Sequence, residues 1–514
     1  MLKIVNDSSP SSLRARASLL GPIGSGLLFT TLALTGCAVE ASSEDAFEDV
    51  AAIDQALAGD AFPNATGSAR TVTVNGAAID TNNPFFQSLG TNGRACVNCH
   101  QPSAAMGITP PQIKQVFNAT QGLDPIFRLN DGANGPLAPV ATLAQRQAAY
   151  SLLLNKGLIR ISFNLPANRD YDVKVVLDPY GGTGANPPQN TVIPPTATPV
   201  VSFYRRPLLS ANTRFISAVM WDGREATVPA VPANPRDVDN SGIQASQADA
   251  PVRINMLTQS NNATLGHAQG VNPLSAAQRA AIVDFQMNLV TAQETDNVAG
   301  ALNAAGATGG PQALRTQNSF FGINDSHGGN PFGTAFNPVA MTMYNAWAGL
   351  TGTAQNQRRA SIARGQALFN SKTIRIQGVR GVNDALGVAA FNGTCTTCHS
   401  HPNVGNHTDI LPLDVGISTA AEGDNVLPVF RVTNRATGVA EEVTDLGRAV
   451  LTGRIADLAK QKGPTLRALA ARAPYFHNGS ADNLTEVIQF YDRRFAIGFT
   501  AQEIADLRAF LEST

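Results

Sequence analysis

One five-residue pattern occurs twice in this chain: Cys96-Val-Asn-Cys99-His100 and Cys395-Thr-Thr-Cys398-His399. A C-x-x-C-H turn sets two thiols one helical turn apart and follows them at once with an imidazole. That is the arrangement for two thioether bonds to a porphyrin and a proximal nitrogen on its iron. A redox dithiol or a pair of zinc half-sites would leave each trailing histidine without a use, and a thioredoxin-like motif needs a βαβ setting that is missing. Two covalently bound haem c groups are therefore expected, held by Cys96, Cys99, His100, Cys395, Cys398 and His399. Of the five cysteines only Cys37 is left over, and it has another use.

Lys3, Arg14 and Arg16 precede an apolar stretch from Leu19 to Leu34, which closes on Leu34-Thr-Gly-Cys37. A basic start, an apolar core and small residues at the cut read as a secretory signal over residues 1–36. The closing tetrapeptide resembles a bacterial lipobox, in which Cys37 becomes the lipidated N-terminus. Glu40, Glu44, Asp45, Glu48, Asp49 and Asp54 then suit an acidic, solvated tether over 37–61. The expectation is an exported protein in the periplasm or cell envelope, anchored through Cys37, at the outer membrane. With 37 basic and 38 acidic residues the formal charge is −1, which excludes a strongly basic nucleic-acid binder. A length of 514 residues allows two or three domains.

Helices are expected around both motifs. Thr142-Leu-Ala-Gln145, Ser275-Ala-Ala-Gln278 and Thr500-Ala-Gln-Glu503 have the form of capping boxes, and Leu484, Val487, Ile488, Tyr491 and Phe495 form an apolar stripe at helical spacing. Tyr171–Leu177 alternates as a strand does. Residues 179–200 and 298–340 read as loops or linkers. The division that follows is an N-terminal haem domain with an insertion at 62–300, a Gly-rich linker at 301–354 and a C-terminal haem domain at 355–514.

Two further motifs join the haem turns: Met220-Trp-Asp-Gly-Arg224 between them and Ala473-Pro-Tyr-Phe-His-Asn-Gly479 after the second. In combination the chain resembles the bacterial di-haem cytochrome c peroxidase superfamily. That group includes the di-haem enzyme that matures tryptophan tryptophylquinone and, more remotely, the di-haem rubber oxygenases. The resemblance is densest over 215–300 and 360–511 and weak over 101–205. It implies a mainly α fold, with two cytochrome c-like haem domains facing each other and long loop-rich insertions.

Residue by residue, the resemblance makes Trp221 the aromatic bridge between the haems. It makes Tyr491 an iron ligand on the His399 side, where the family's peroxidases carry methionine, and His477 a hydrogen-bonding neighbour. No histidine lies between His100 and His267, so the distal face of the first haem is expected to be open. Gln259 and Gln269 match the family's Gln and Glu of the peroxide pocket. His267 can move a proton where Gln269 cannot, so His267 is the expected acid/base, with the two glutamines donating hydrogen bonds. Arg206-Pro207 and Arg472-Ala-Pro474 stand near the places where the family binds calcium, a departure that puts that ion in doubt. Asp237-Val-Asp-Asn-Ser-Gly242 opens like a calcium loop but carries Ala248 where a Glu is needed, and reads as a solvated turn. His401 and His407 read as pocket or surface residues rather than ligands.

The implied activity is reduction of H2O2 at the N-terminal haem, with electrons relayed from the C-terminal haem and supplied by a small cytochrome or cupredoxin. Two alternatives stand beside it. One is a di-haem oxidase or oxygenase using H2O2 or O2 on a protein or organic substrate. The other is an electron-transfer cytochrome without catalysis.

Overall fold

The computed structural model describes residues 61–225 and 251–514. The expected signal and tether up to Asp60, the expected lipidation site Cys37, and Asp237–Gly242 with Ala248 lie outside them. The described residues belong to one compact unit, and no helix among them is long and apolar enough to cross a membrane.

The fold is not mainly α. It is mixed, 32% helical and 17% strand, with four sheets among the described residues. The physical reason lies between the two C-x-x-C-H motifs, where β-branched and aromatic residues alternate and find partners far away in sequence. In strand Tyr171–Leu177 the side chains of Tyr171, Val173 and Val175 are fully buried. Its antiparallel partner is Val429–Asn434, with Val173 opposite Val432. Ala440–Val443 and Val192–Ile193 complete that sheet on its two edges. Part of the segment expected to be loop at 179–200 is thus strand. A second four-stranded sheet runs Ala61–Asn64, Gly67–Thr73, Leu289–Asp296 and Gly300–Ala301.

Local signals held where they concern neighbours in sequence. Thr142, Ser275 and Thr500 each accept from the backbone of the residue three positions on, and Gln145, Gln278 and Glu503 bond back. The apolar stripe forms helix Leu484–Phe495. Helix Ala501–Glu512 lies against Ala354–Ser371, burying Ile362, Phe369, Leu507 and Phe510 between them. The contact is so close that a Cβ on Gly365 would stand 1.9 Å from the Asp506 carbonyl oxygen.

Strand Val200–Arg205 matters most for the site, because it runs straight into the segment Arg206–Leu209. Its last residue, Arg205, is locked in the interior. Its Nε and Nη2 donate to the two carboxylate oxygens of Asp445 at 2.6 and 2.8 Å, and Nη1 donates to Asp222. Asp222 is fully buried and also accepts from Arg224 at 2.8 Å. Burial alone would raise its carboxyl, but Arg205 and Arg224 hold it below the ordinary carboxylate range. The Met220–Arg224 turn is thereby fixed to the end of the strand.

Candidate active site

Both C-x-x-C-H segments form short helical turns at the wall of a cavity. In the first, the backbone N–H of Ala95 donates to Asn98 Oδ1 at 2.7 Å and that of His100 to the Cys96 carbonyl at 3.0 Å. The turn opens on a cavity of about 1520 Å³, its mouth included, that Cys96, Cys99 and His100 line together. The second turn, Cys395–Cys398, borders a cavity of about 1870 Å³ with His399.

Each histidine is set in the same way. His100 Nδ1 faces the Met106 carbonyl at 3.3 Å and His399 Nδ1 faces that of Gly405 at 2.5 Å. A carbonyl on Nδ1 selects the tautomer with its proton there and leaves the Nε2 lone pair for a metal. Burial keeps both rings neutral, lowering His100 to about 4 and shifting His399 in the same direction. Burial pushes the Cys96 thiol up to about 11 and those of Cys99, Cys395 and Cys398 to about 12. These sulfurs are poor nucleophiles at neutral pH, as suits attachment points rather than redox thiols.

The two cavities share a wall made of Arg206, Leu208, Leu209, Trp221, Lys462 and Arg472 among others. Trp221 is held in it by both ends. Its Nε1 donates to the Arg206 carbonyl at 2.7 Å, and its own carbonyl accepts from the Lys462 amide at 2.7 Å. Its ring centre is 6.0 Å from that of His477. Among the described residues, three cations in this wall have only carbonyls as hydrogen-bond partners. Arg206 donates to the Lys156 and Ile108 carbonyls at 2.7 and 2.6 Å, Arg472 to that of Thr465, and Lys462 Nζ to that of Ala218 at 2.8 Å. Burial depresses all three, Arg206 to about 9, Arg472 to about 10 and Lys462 to about 7. Sequestered cations without an anion are unstable. A haem brings two propionates, so this wall fits the group the cysteines would hold.

On the far side of the first cavity stands a pair that no spacing announced. His267 Nδ1 bonds to Asp131 Oδ2, and Asp131 Oδ1 accepts from Arg94. Asp131 would be raised by its burial, but Arg94 and His267 together hold it below the usual carboxylate range. The carbonyl of His267 is itself gripped by Asn92 at 2.8 Å and by Asn130 and Arg94 at 3.2 Å. Gln259, on helix Pro251–Gly266, lines the same cavity. Gln269 does not. At φ +54° its backbone turns it out to solvent, where only its carbonyl is used, by Thr91 at 2.9 Å.

No protein-family model matches the chain. The cytochrome-c peroxidase IdrP1 of Pseudomonas sp. (strain SCT) is 34% identical over 149 residues, 25% of this chain and 38% of the relative. The cytochrome-c peroxidase IdrP1 of Denitromonas iodatirespirans is 29% identical over 149 residues, 25% of this chain and 39% of the relative. This chain is related to the bacterial cytochrome-c peroxidases. The match spans well under half of those peroxidases' own length.

In the second cavity Tyr491 shares the lining with Cys395, Cys398 and His399. Burial raises its phenol far above the usual value, and its ring stacks on Phe495 at 6.4 Å and 8°. His477 is buried there too, with Nε2 3.3 Å from Ser418 Oγ, and burial lowers it to about 4. His401 and His407 are buried but line neither cavity. Sequence reasoning missed Asp131, Arg94 and Lys462, and weighed Arg206 and Arg472 only against a calcium site. An Asp or Arg in a loop has no periodicity, and only the folded chain brings Asp131 to a histidine 136 positions away.

Proposed function

We propose that this chain is an exported di-haem c-type oxidoreductase, anchored through Cys37, that reduces H2O2 in the cavity of His100 with electrons from a small cytochrome or cupredoxin. The observation that carries this reading is the pair of C-x-x-C-H turns opening on two cavities with Trp221 in their common wall. Cys96, Cys99 and His100 would hold one haem, and Cys395, Cys398 and His399 the other, with Tyr491 as the further ligand on that side. Bound there, haem c supplies iron redox chemistry that no side chain has.

The balance is H2O2 + 2 H⁺ + 2 e⁻ → 2 H2O, and the residues handle protons and position. His267 accepts a proton from the near peroxide oxygen and returns it to the leaving oxygen, which departs as water. Asp131 orients that imidazole and stabilises it when charged. Gln259 donates a hydrogen bond within the same cavity. Arg206, Lys462 and Arg472 would neutralise propionates, and the indole of Trp221 shortens the electron path between the two cavities.

The test is mass spectrometry and an optical and EPR titration of holoprotein with H2O2. The expected result is two haem-sized mass additions, one centre with a free coordination position, and a stoichiometric response of both centres to peroxide. Two fully six-coordinate centres inert to peroxide would leave the electron-transfer cytochrome in its place. Oxidation of a bulky organic or protein substrate is a second reading, favoured by a tyrosine in the second cavity instead of a thioether. Peroxide-driven substrate oxidation without any cytochrome donor would select it.

A further inference from the structure

A third group of metal-ligating side chains lies outside both cavities. Asp325, His327 and His407 each bring one ligand atom to within 4.8 Å of the others. Asp325 and His407 are 1% and 3% exposed. We propose that these three residues bind a divalent first-row transition ion of the zinc type, as a structural tie between the Gly-rich segment and the second haem turn. The inference does not depend on what occupies that turn.

The carboxylate is prepared for it. Asp325 Oδ2 accepts the backbone N–H groups of His327 at 3.0 Å and Gly329 at 2.6 Å. That fixes the group in one orientation and leaves Oδ1 buried with no hydrogen-bond partner. His407 Nδ1 accepts the Asp409 backbone N–H at 3.3 Å, which leaves the buried Nε2 as its unpartnered ring nitrogen. Two orphaned polar atoms in one interior cluster need a reason, because a buried donor or acceptor without a partner carries its desolvation penalty uncompensated.

Distance separates an ion from a direct bond. His407 Nδ1 and Asp325 Oδ1 are 3.9 Å apart, too far for a hydrogen bond. A zinc-type ion takes N and O ligands at about 2.0–2.2 Å, and one ligand atom from each of the three residues already lies within 4.8 Å of the others. The His327 and His407 rings run nearly parallel at 26°, with centres 5.7 Å apart.

Donor chemistry selects the class of ion. Two imidazoles and one carboxylate suit zinc, iron, copper or nickel, whereas calcium wants six or more oxygens and magnesium an oxygen octahedron. The fourth position of a tetrahedral ion falls to solvent. The consequence is local order in the second haem turn. Ser326 Oγ donates to the Thr397 carbonyl at 2.5 Å and Asn324 Nδ2 to that of Ser400 at 3.0 Å. An ion on Asp325 and His327 would clamp that loop to the chain that carries His399 eight residues before His407.

The experiment uses chelator-treated holoprotein, so that the haem cysteines are occupied, with Zn²⁺ alone as probe. Equilibrium dialysis with elemental analysis is expected to give one zinc per chain beyond the haem iron. Asp325→Asn and His327→Ala should each weaken it at least about tenfold, while His401→Gln should not. Zinc-edge X-ray absorption of the wild type should show nitrogen and oxygen neighbours only, including imidazole, and decides the matter if the variants fail to fold. Absent uptake, uptake equal in all variants, or a shell containing sulfur would overturn the proposal and leave a buried Asp325–His407 ion pair.

Discussion

Replacing His267 by alanine separates the proton-handling role from everything else in the first cavity. Backbone displacement is not expected, because the carbonyl of residue 267 is held by Asn92, Asn130 and Arg94, none of which needs the imidazole. The variant loses one hydrogen bond, to Asp131, which keeps Arg94 as partner. For a side chain 38% exposed, that loss is worth about 1 kcal/mol of stability. The effect on rate is much larger. A positioned general acid–base contributes about 10²–10⁴-fold, equivalent to about 3–5 kcal/mol of barrier. Gln269→Ala provides the internal control, two positions along but turned out to solvent, and its rate should stay within about twofold, since it has no contact with the reacting atoms. The assay is stopped-flow consumption of H2O2 by holoprotein with a reduced donor, with urea melts run alongside. A His267→Ala rate within threefold of wild type, or an equal loss in Gln269→Ala, would refute the assignment.

Trp221→Phe keeps an aromatic ring but deletes the bond to the Arg206 carbonyl; about 1 kcal/mol of stability should go, and rapid-mixing spectra should show slower equilibration between the two centres. Asp222→Asn leaves Arg205 and Arg224 short of a buried carboxylate and should cost about 3–5 kcal/mol in urea unfolding at pH 7. Because Asp222 is held below its unfolded value, its contribution is complete above about pH 4 and is lost as pH falls through the folded value. Wild type should therefore lose more stability than Asp222→Asn on acidification, which a urea series from pH 6 to pH 3 will measure. Gly365→Ala forces a Cβ against the Asp506 carbonyl and should lower stability by about 1–3 kcal/mol or more, read as a lower melting temperature.

The local chemistry of this protein is legible in its sequence because it is made by residues a few positions apart. A C-x-x-C-H turn places two sulfurs and an imidazole within one helical turn, and a capping box closes over three residues, so both are settled before any distant contact forms. Strand Tyr171–Leu177 could be recognised from its alternation, but its partner at Val429–Asn434 could not, and the mainly α fold that the family resemblance implied missed the sheets. Tertiary packing alone seats Trp221 in a wall common to two cavities and leaves Arg206, Lys462 and Arg472 there with carbonyls as their hydrogen-bond partners among the described residues. It also sets Asp131 against His267 and Asp325 against His407. Each of those depends on side chains more than 80 residues apart meeting in the interior or on where a backbone dihedral aims them, as at Gln269, and linear spacing carries neither.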